Sequence, residues 1–175
     1  MSRPEDVARI GIMTISDRAS AGVYEDQGGP AVRAFLTGTL VSRWEAVQCV
    51  LPDDEPRIAA ALVQWADVEG CDLVITTGGT GPAPRDVTPE ATASVCSRLL
   101  PGFGEAMRAT SLPKVPTAIL SRAVAGIRGR TLIVNVPGNP KAVGECLSAV
   151  LPAIAHCLEL IGARRVALRE PVAHR

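Results

Sequence analysis

Residues 74–91 read Val-Ile-Thr-Thr-Gly-Gly-Thr-Gly-Pro-Ala-Pro-Arg-Asp-Val-Thr-Pro-Glu-Ala, and this stretch decides the fold class. A short apolar run, 72–77, reads as a strand buried on both faces, and it delivers the chain straight into Gly78, Gly79, Thr80 and Gly81. Glycines so spaced let the backbone pass close to a ligand where a Cβ would clash. Successive amides in such a loop form a concave nest for anion oxygens. Arg85 and Asp86 place a cation and a hard oxygen ligand beside it. Thr88-Pro89-Glu90 reads as a helix start, with Thr88 as cap and Pro89 in the first turn. The N-terminus of that helix adds positive potential toward the same anion.

A glycine-rich strand-to-helix turn can also serve only as a tight corner, and Gly78–Gly81 alone leaves both readings open. No Gly-Lys-Ser/Thr closes the loop, so it is not a P-loop. Pro82-Ala83-Pro84 follows where a dinucleotide fingerprint needs its third glycine. The Arg85-Asp86-Val87-Thr88-Pro89 continuation is what turns the corner into a phosphate site.

Outward from this stretch, apolar runs alternate with helical spacings, the pattern of a mostly parallel sheet with crossover helices. Strands are expected over 8–16, 45–51, 72–77, 124–128 and 131–136, and helices over 30–40, 57–68, 90–99, 104–111 and 141–161. The expected architecture is a three-layer α/β fold with helices on both faces and ligand loops at the strand carboxyl ends. Residues 1–162 read as one domain, and 163–175 as a mobile basic tail. Four polar stations then meet at one rim: Ser16-Asp17, Asp53, the 78–86 loop and the 137–141 loop. In open α/β sheets that rim is where ligands bind.

Composition narrows the chemistry. A chain of 175 residues with 47% hydrophobic content is long enough for a sizeable core. Eighteen basic and eighteen acidic residues give no net charge, so no global field draws the chain to nucleic acid or an anionic membrane. Aromatic residues make up 3%, too few for base-stacking platforms along a strand of nucleic acid. The N-terminus lacks an apolar signal core and the expected location is cytoplasmic. Five cysteines, an odd number without a Cys-x-x-Cys pair, read as small core residues, and two histidines leave little room for histidine catalysis or histidine-ligated zinc.

The Gly78–Thr88 motif resembles the signature of the molybdopterin adenylyltransferases, which act late in molybdenum cofactor biosynthesis. Residues 12–24 with Asp26 and Gly28, Leu51-Pro52-Asp53, and the segments 101–108, 116–122 and 135–141 follow in that family's order. The resemblance covers about residues 10–141 and breaks at Pro84, where relatives carry a basic residue; one phosphate contact is expected to be missing there.

What the resemblance implies is transfer of AMP from ATP to the terminal phosphate of molybdopterin, with release of pyrophosphate. Asp53 and Asp86 are implied as the catalytic residues and as ligands to Mg²⁺. Nucleotide and phosphate binding is implied for Ser16, Asp17, Thr77, Gly78, Gly79, Thr80, Gly81, Arg85, Thr88 and Glu105. Molybdopterin binding is implied for Ser121, Arg122, Pro137, Gly138, Asn139, Pro140 and Lys141. Lys141 puts a cation at the positive end of a helix, a local misfit that favours a ligand-binding role. A homotrimer is implied, and a molybdenum-inserting protein as the partner that receives the product. The competing reading is a non-catalytic pterin- or nucleotide-binding module of the same fold.

Overall fold

The carboxyl ends of four parallel strands finish level with one another, and the glycine loop starts from one of the inner two. The computed structural model describes residues 7–169. β1 (Ala8–Ile15), β2 (Trp44–Leu51) and β3 (Leu73–Thr77) pair in parallel, with Ile15 opposite Leu51 and Thr14 opposite Thr77. β6 (Thr131–Val136) extends the parallel set, with Val136 opposite Thr77. β5 (Ala125–Arg128) and the two-residue β4 (Arg98–Leu99) add an antiparallel edge, giving the order β2-β1-β3-β6-β5-β4.

The nearly unbroken apolar runs of β1, β3 and β6 follow from burial on both faces. On one face α2 (Gly28–Thr39), α5 (Pro101–Ser111) and α6 (Pro140–Leu160) enclose a core that includes Ile10, Ile12, Leu36, Ile75, Met107, Val134 and Leu147. On the other, α3 (Glu55–Val63) and α4 (Thr88–Val95) cover Met13, Ile15, Ile58, Leu62, Val74 and Ile133. These are the expected three layers. α6 is long and apolar enough to cross a membrane, yet its Val143, Leu147, Val150, Ile154 and Leu158 stripe is buried against the sheet, as in a core helix.

Local departures have physical causes. The expected helix 57–68 ends at Val63 and continues as a π-helical turn, Gln64–Val68, which seats Trp65 over Gly11. A Cβ at Gly11 would stand 2.5 Å from the indole, so this strand position needs glycine. The expected helix 90–99 stops at Val95; Cys96 is extended, and the chain joins the sheet edge through Ser97 N–H donating to Ile127 O at 2.8 Å. The helix expected from 104 begins at Pro101, where the ring's fixed φ suits a first turn.

The expected mobile tail is a correction. Residues 163–169 lie docked across the base of the sheet. Asp72 Oδ1 accepts from Arg164 N–H at 3.0 Å, Val41 and Arg169 amides donate to Ala167 O and Thr39 O, and Val166 is buried in the core. An acceptor and an apolar slot outweigh the entropy of so short a segment. The remainder, 170–175, and the first six residues lie outside the described residues.

Candidate active site

The loop after β3 leaves the sheet at the topological switch point, where the connection from β1 runs one way to β2 and the chain later returns on the other side to β3. Two glycines there are dictated by geometry. Gly78 has φ +100° and a Cβ on it would lie 2.2 Å from Ile15 O; Gly79 has φ +61° and its Cβ would lie 2.3 Å from Thr88 Oγ1 and 2.9 Å from Asp53 Oδ1. Gly78 N–H is spent on Val136 O at 3.2 Å. The amides of Gly79, Thr80 and Gly81 have no acceptor among the described residues, and they are the part of the expected nest that remains open to an anion. Thr88 is not the expected cap: Val87 occupies that position, and Thr88 Oγ1 instead donates to Gly78 O at 3.0 Å while its N–H donates to Gly79 O at 3.1 Å. Thr88 thus closes the loop on itself.

Ser16 caps the short helix α1 (Asp17–Ser20), its hydroxyl accepting from Ala19 N–H at 3.2 Å. Asp17 and Asp53 are joined by exchange: Asp53 Oδ2 accepts from Asp17 N–H and Asp17 Oδ1 accepts from Asp53 N–H, each at 3.0 Å. Arg85 reaches back across the glycine loop and grips Asp17 with Nε and Nη2 at 3.0 and 2.7 Å. This contact holds the Asp17 carboxyl below its ordinary value. Burial pushes Asp53 up, and repulsion from Asp17 and Asp86 adds to that rise. Asp86 Oδ2 accepts from Ala83 N–H at 2.9 Å and would be 2.7 Å from a Cβ on Gly81. The two expected metal ligands therefore flank the glycine loop, Asp53 against Gly79 and Asp86 against Gly81.

Arg122, implied by the resemblance to bind molybdopterin, is engaged with the glycine loop and its neighbours. Its guanidinium donates to Gly81 O at 2.8 Å, to Asp86 O at 2.5 Å and to the Glu90 carboxylate, and its N–H donates to Thr80 O. Five donors in a planar fork suit a brace that ties several backbone carbonyls at once. These contacts tie Arg122 to both ends of the Gly81–Asp86 segment. Ser121 contributes its carbonyl to Arg108 at 3.0 Å and lines the larger of two cavities. Glu105 sits exposed on α5 and lines neither cavity.

Beneath the loops lies a buried amide that sequence reading did not select. Asn135 is fully buried on β6 and its Nδ2 donates to Thr76 Oγ1 on β3 at 3.0 Å and to Thr92 Oγ1 on α4 at 2.9 Å. Its Oδ1 has no partner, and turning the amide over would only exchange which end is orphaned. Next to Thr76 on β3, Thr77 Oγ1 donates at 2.9 Å to the carbonyl of Pro137, just past the end of β6. A lone asparagine inside the apolar run Ile-Val-Asn-Val was the available signal.

Two cavities flank the loops. A larger one of about 500 Å³ is walled by Thr80, Gly81, Ser121, Pro137, Asn139 and Lys141, with Met107 and Cys146 also lining it. A smaller one of about 130 Å³ lies on the β1 side and is lined by Ser16, Tyr24, Asp26, Thr77 and Gly138 among others. The two loops meet between them, a Cβ on Gly138 falling 3.2 Å from Gly78 Cα. The expected residues are divided differently across the junction: Gly138, expected on the molybdopterin side, lines the smaller cavity, while Thr80 and Gly81, expected on the nucleotide side, line the larger one. Asn139 caps α6 by accepting from Lys141 N–H at 3.0 Å, Pro140 fills the first helical position, and the Lys141 side chain is exposed at the mouth.

The donor set fits Mg²⁺. Asp53 and Asp86 each keep Oδ1 free of any hydrogen-bond donor among the described residues, and Asp53 is already short of compensating charge. Two carboxylates completed by phosphate and water oxygens are the usual surroundings of that ion. No cage of three or more His, Cys, Asp or Glu exists among the described residues. The cysteines are free; burial pushes Cys49 and Cys96 up to about 11, which leaves them inert at neutral pH.

Comparison with known proteins places this geometry. Residues 11–156 match the model of a probable molybdopterin binding domain. The chain is 54% identical over 152 residues to a molybdopterin adenylyltransferase of Helicobacter pylori, covering 87% of this chain and 86% of that protein. It is 53% identical over 142 residues to the enzyme of that name in Escherichia coli K12, covering 81% and 73%. The crystal structure of the molybdopterin biosynthesis enzyme MoaB from Thermus thermophilus superposes with a TM-score of 0.80 at 49% identity, over 88% of this chain and 96% of that one. A glycine loop at the switch point flanked by two aspartates, carried on this sheet and at this identity, makes the chain a member of the molybdopterin adenylyltransferase family.

Proposed function

We propose that this protein transfers AMP from ATP to the terminal phosphate of molybdopterin and releases pyrophosphate. The observation that carries the reading is the placement of Asp53 and Asp86 on either side of one glycine loop that separates two cavities. A phosphate oxygen of the pterin substrate attacks the α-phosphorus of ATP; the new P–O bond forms as the bond to the pyrophosphate oxygen breaks. A phosphate monoester is largely dianionic at neutral pH, so the nucleophile needs no strong base. The obstacle is repulsion between two polyanions, and positioned positive groups lower it.

The residues around the glycine loop then divide the work. The open amides of Gly79, Thr80 and Gly81 bind phosphate oxygens, and Arg85 adds a cation at the rim. Arg122 and Thr88 keep that loop in its binding shape. Asp53 and Asp86 hold Mg²⁺, which when bound neutralises phosphate charge at the transferred group. Lys141 attracts the pterin phosphate at the mouth of the larger cavity, whose apolar lining suits a flat heterocycle. Glu105, exposed on α5, is left without a task in the site. Incubation with molybdopterin, ATP and Mg²⁺ tests the reading, adenylylated pterin and pyrophosphate being the expected products; binding of both substrates without either product would favour the non-catalytic module.

The product passes to a molybdenum-inserting protein, and the reaction belongs to the cytoplasm. Self-association as a homotrimer follows from the family resemblance; an apolar groove of about 380 Å³ between α5 and α6, bordered by Leu100, Phe103, Ala106 and Ala153, is available to a second copy. Light scattering at micromolar concentration tests it, and a monomer mass would exclude it.

A further inference from the structure

At the base of the sheet the docked segment 163–169 meets the turn between β5 and β6, and a third cavity opens between them. Its volume is about 350 Å³, within the range of small-molecule sites. Cys71, Asp72, Gly129, Arg130, Thr131 and Arg164 are among its lining residues. The five residues of β3 separate this base from the glycine loop, roughly 16 Å at the rise of a parallel strand. The cavity is therefore distinct from the two at the rim.

Two guanidinium groups share this lining with one carboxylate. Asp72, the only carboxylate among the described lining residues, is 4% exposed and already engaged. Its Oδ2 accepts from Arg9 N–H at 2.9 Å and its Oδ1 from Arg164 N–H at 3.0 Å. The neighbouring Asp67 and Glu69 carboxylates are spent on Arg128 and Arg9. Arg130 stands exposed at the turn, and its side chain forms no hydrogen bond or ion pair among the described residues.

Arg164 carries the decisive observation. Its Nη1 lies 3.7 Å from Asp72 Oδ1, an ion pair beyond hydrogen-bond distance. Its Nε–H is buried and has no acceptor among the described residues. A charged donor that gives up water without gaining a partner is costly, and such groups in native folds ordinarily meet an acceptor.

We propose that this cavity is an anion site, taking the carboxylate or phosphate group of a small molecule between Arg130 and Arg164. Guanidinium groups bind oxyanions through paired N–H donors, and Arg164 Nε–H supplies one already desolvated. Because Arg164 belongs to the docked segment and Arg130 to the β5–β6 turn, the anion pins residues 163–169 to the sheet. The proposal is independent of the nucleotide reading of the glycine loop.

Titration with succinate and with inorganic phosphate, in the absence of Mg²⁺, tests it, followed by the amide NMR signals of residues 129–131 and 163–165. At least one of the two anions is expected to bind at millimolar concentration, move those signals and raise the melting temperature. Whichever does so identifies the carboxylate or the phosphate as the group recognised. Arg130→Gln and Arg164→Gln should each weaken that anion about tenfold, the loss of one charge-assisted contact. Arg164→Gln keeps the backbone N–H that Asp72 accepts; if it nevertheless unfolds, the exposed Arg130→Gln decides alone. Unchanged affinity in Arg130→Gln overturns the site. Movement confined to the signals of residues 78–81 also overturns it, by assigning the anion to the glycine loop. So does failure of the wild-type protein to bind either anion.

Discussion

Asp17 and Asp53 stand 36 residues apart in sequence and exchange hydrogen bonds, each carboxylate accepting from the other's amide at 3.0 Å. Two loops at the ends of β1 and β2 are thereby locked together, and Arg85 ties both to the glycine loop through Asp17. Of the two carboxylates Asp53 is the one with a raised pKa, because burial and two neighbouring carboxylates oppose its charge while the guanidinium is spent on Asp17. A bound cation would relieve that state.

Asp53→Asn and Asp86→Asn should therefore separate activity from stability. Each variant is expected to lose at least about a hundredfold in turnover, the scale of several kcal/mol of charge stabilisation. Asp53→Asn should melt no lower than the wild type without metal, since an amide oxygen still accepts from Asp17 N–H and the opposed charge is gone. Turnover under a Mg²⁺ titration together with calorimetric melting checks both; near-normal activity would remove the residue from the metal site.

The pH dependence follows from the same group. Asp53 has a folded pKa above its unfolded one, so its contribution to stability is fully present below the unfolded value and is lost as pH rises through the folded value. Activity runs the opposite way, because the metal needs the carboxylate. The acid limb of turnover should lie above the ordinary value of an aspartate at low Mg²⁺ and move to lower pH as Mg²⁺ is raised. Rate profiles at two Mg²⁺ concentrations decide it, an immovable limb being the contrary result.

Gly79→Ala should damage the loop although it adds a single methyl group. The new Cβ meets Thr88 Oγ1 and Asp53 Oδ1 at a backbone angle that side chains rarely adopt. A destabilisation of about 1–3 kcal/mol is expected, with weaker binding of a nonhydrolysable ATP analogue. Unchanged affinity in calorimetry would reduce the loop to a corner.

Lys141→Ala should weaken molybdopterin more than ATP. The ammonium stands at the mouth of the larger cavity, beyond the loop junction from the smaller one. Losing one charge-assisted contact costs about 1.5–3 kcal/mol, roughly ten- to a hundredfold in affinity. Separate titrations with the two ligands test it, and an equal loss for both would merge the cavities into one site.

Thr92→Val tests the buried amide. It conserves volume while removing one of the two acceptors that let Asn135 tie β3, β6 and α4 together. Turnover is expected to fall about tenfold, and Thr92→Ser, which restores the hydroxyl, should recover it. A drop in melting temperature with turnover untouched would make the network purely structural.

The sequence by itself determined the layers, the strand carrying the glycine loop and the rim at which polar residues meet. Those features rest on local chemistry: apolar periodicity, glycine's freedom at positive φ and the order of motifs along the chain. It also selected Asp53 and Asp86 through motif resemblance. Only the tertiary structure decided what each side chain is bonded to. Arg122 is implied by the resemblance to bind molybdopterin, and in the fold its guanidinium is engaged by Gly81, Asp86 and Glu90. Thr88 reads as a cap and proves to be a latch on Gly78. The tail at 163–169 reads as mobile because three of its seven residues are arginine; its seat includes Asp72, an acceptor contributed from 92 residues earlier. Sequence spacing encodes which way a side chain points along its own element, whereas a hydrogen-bond partner is chosen among groups that only the packed sheet brings within 3 Å.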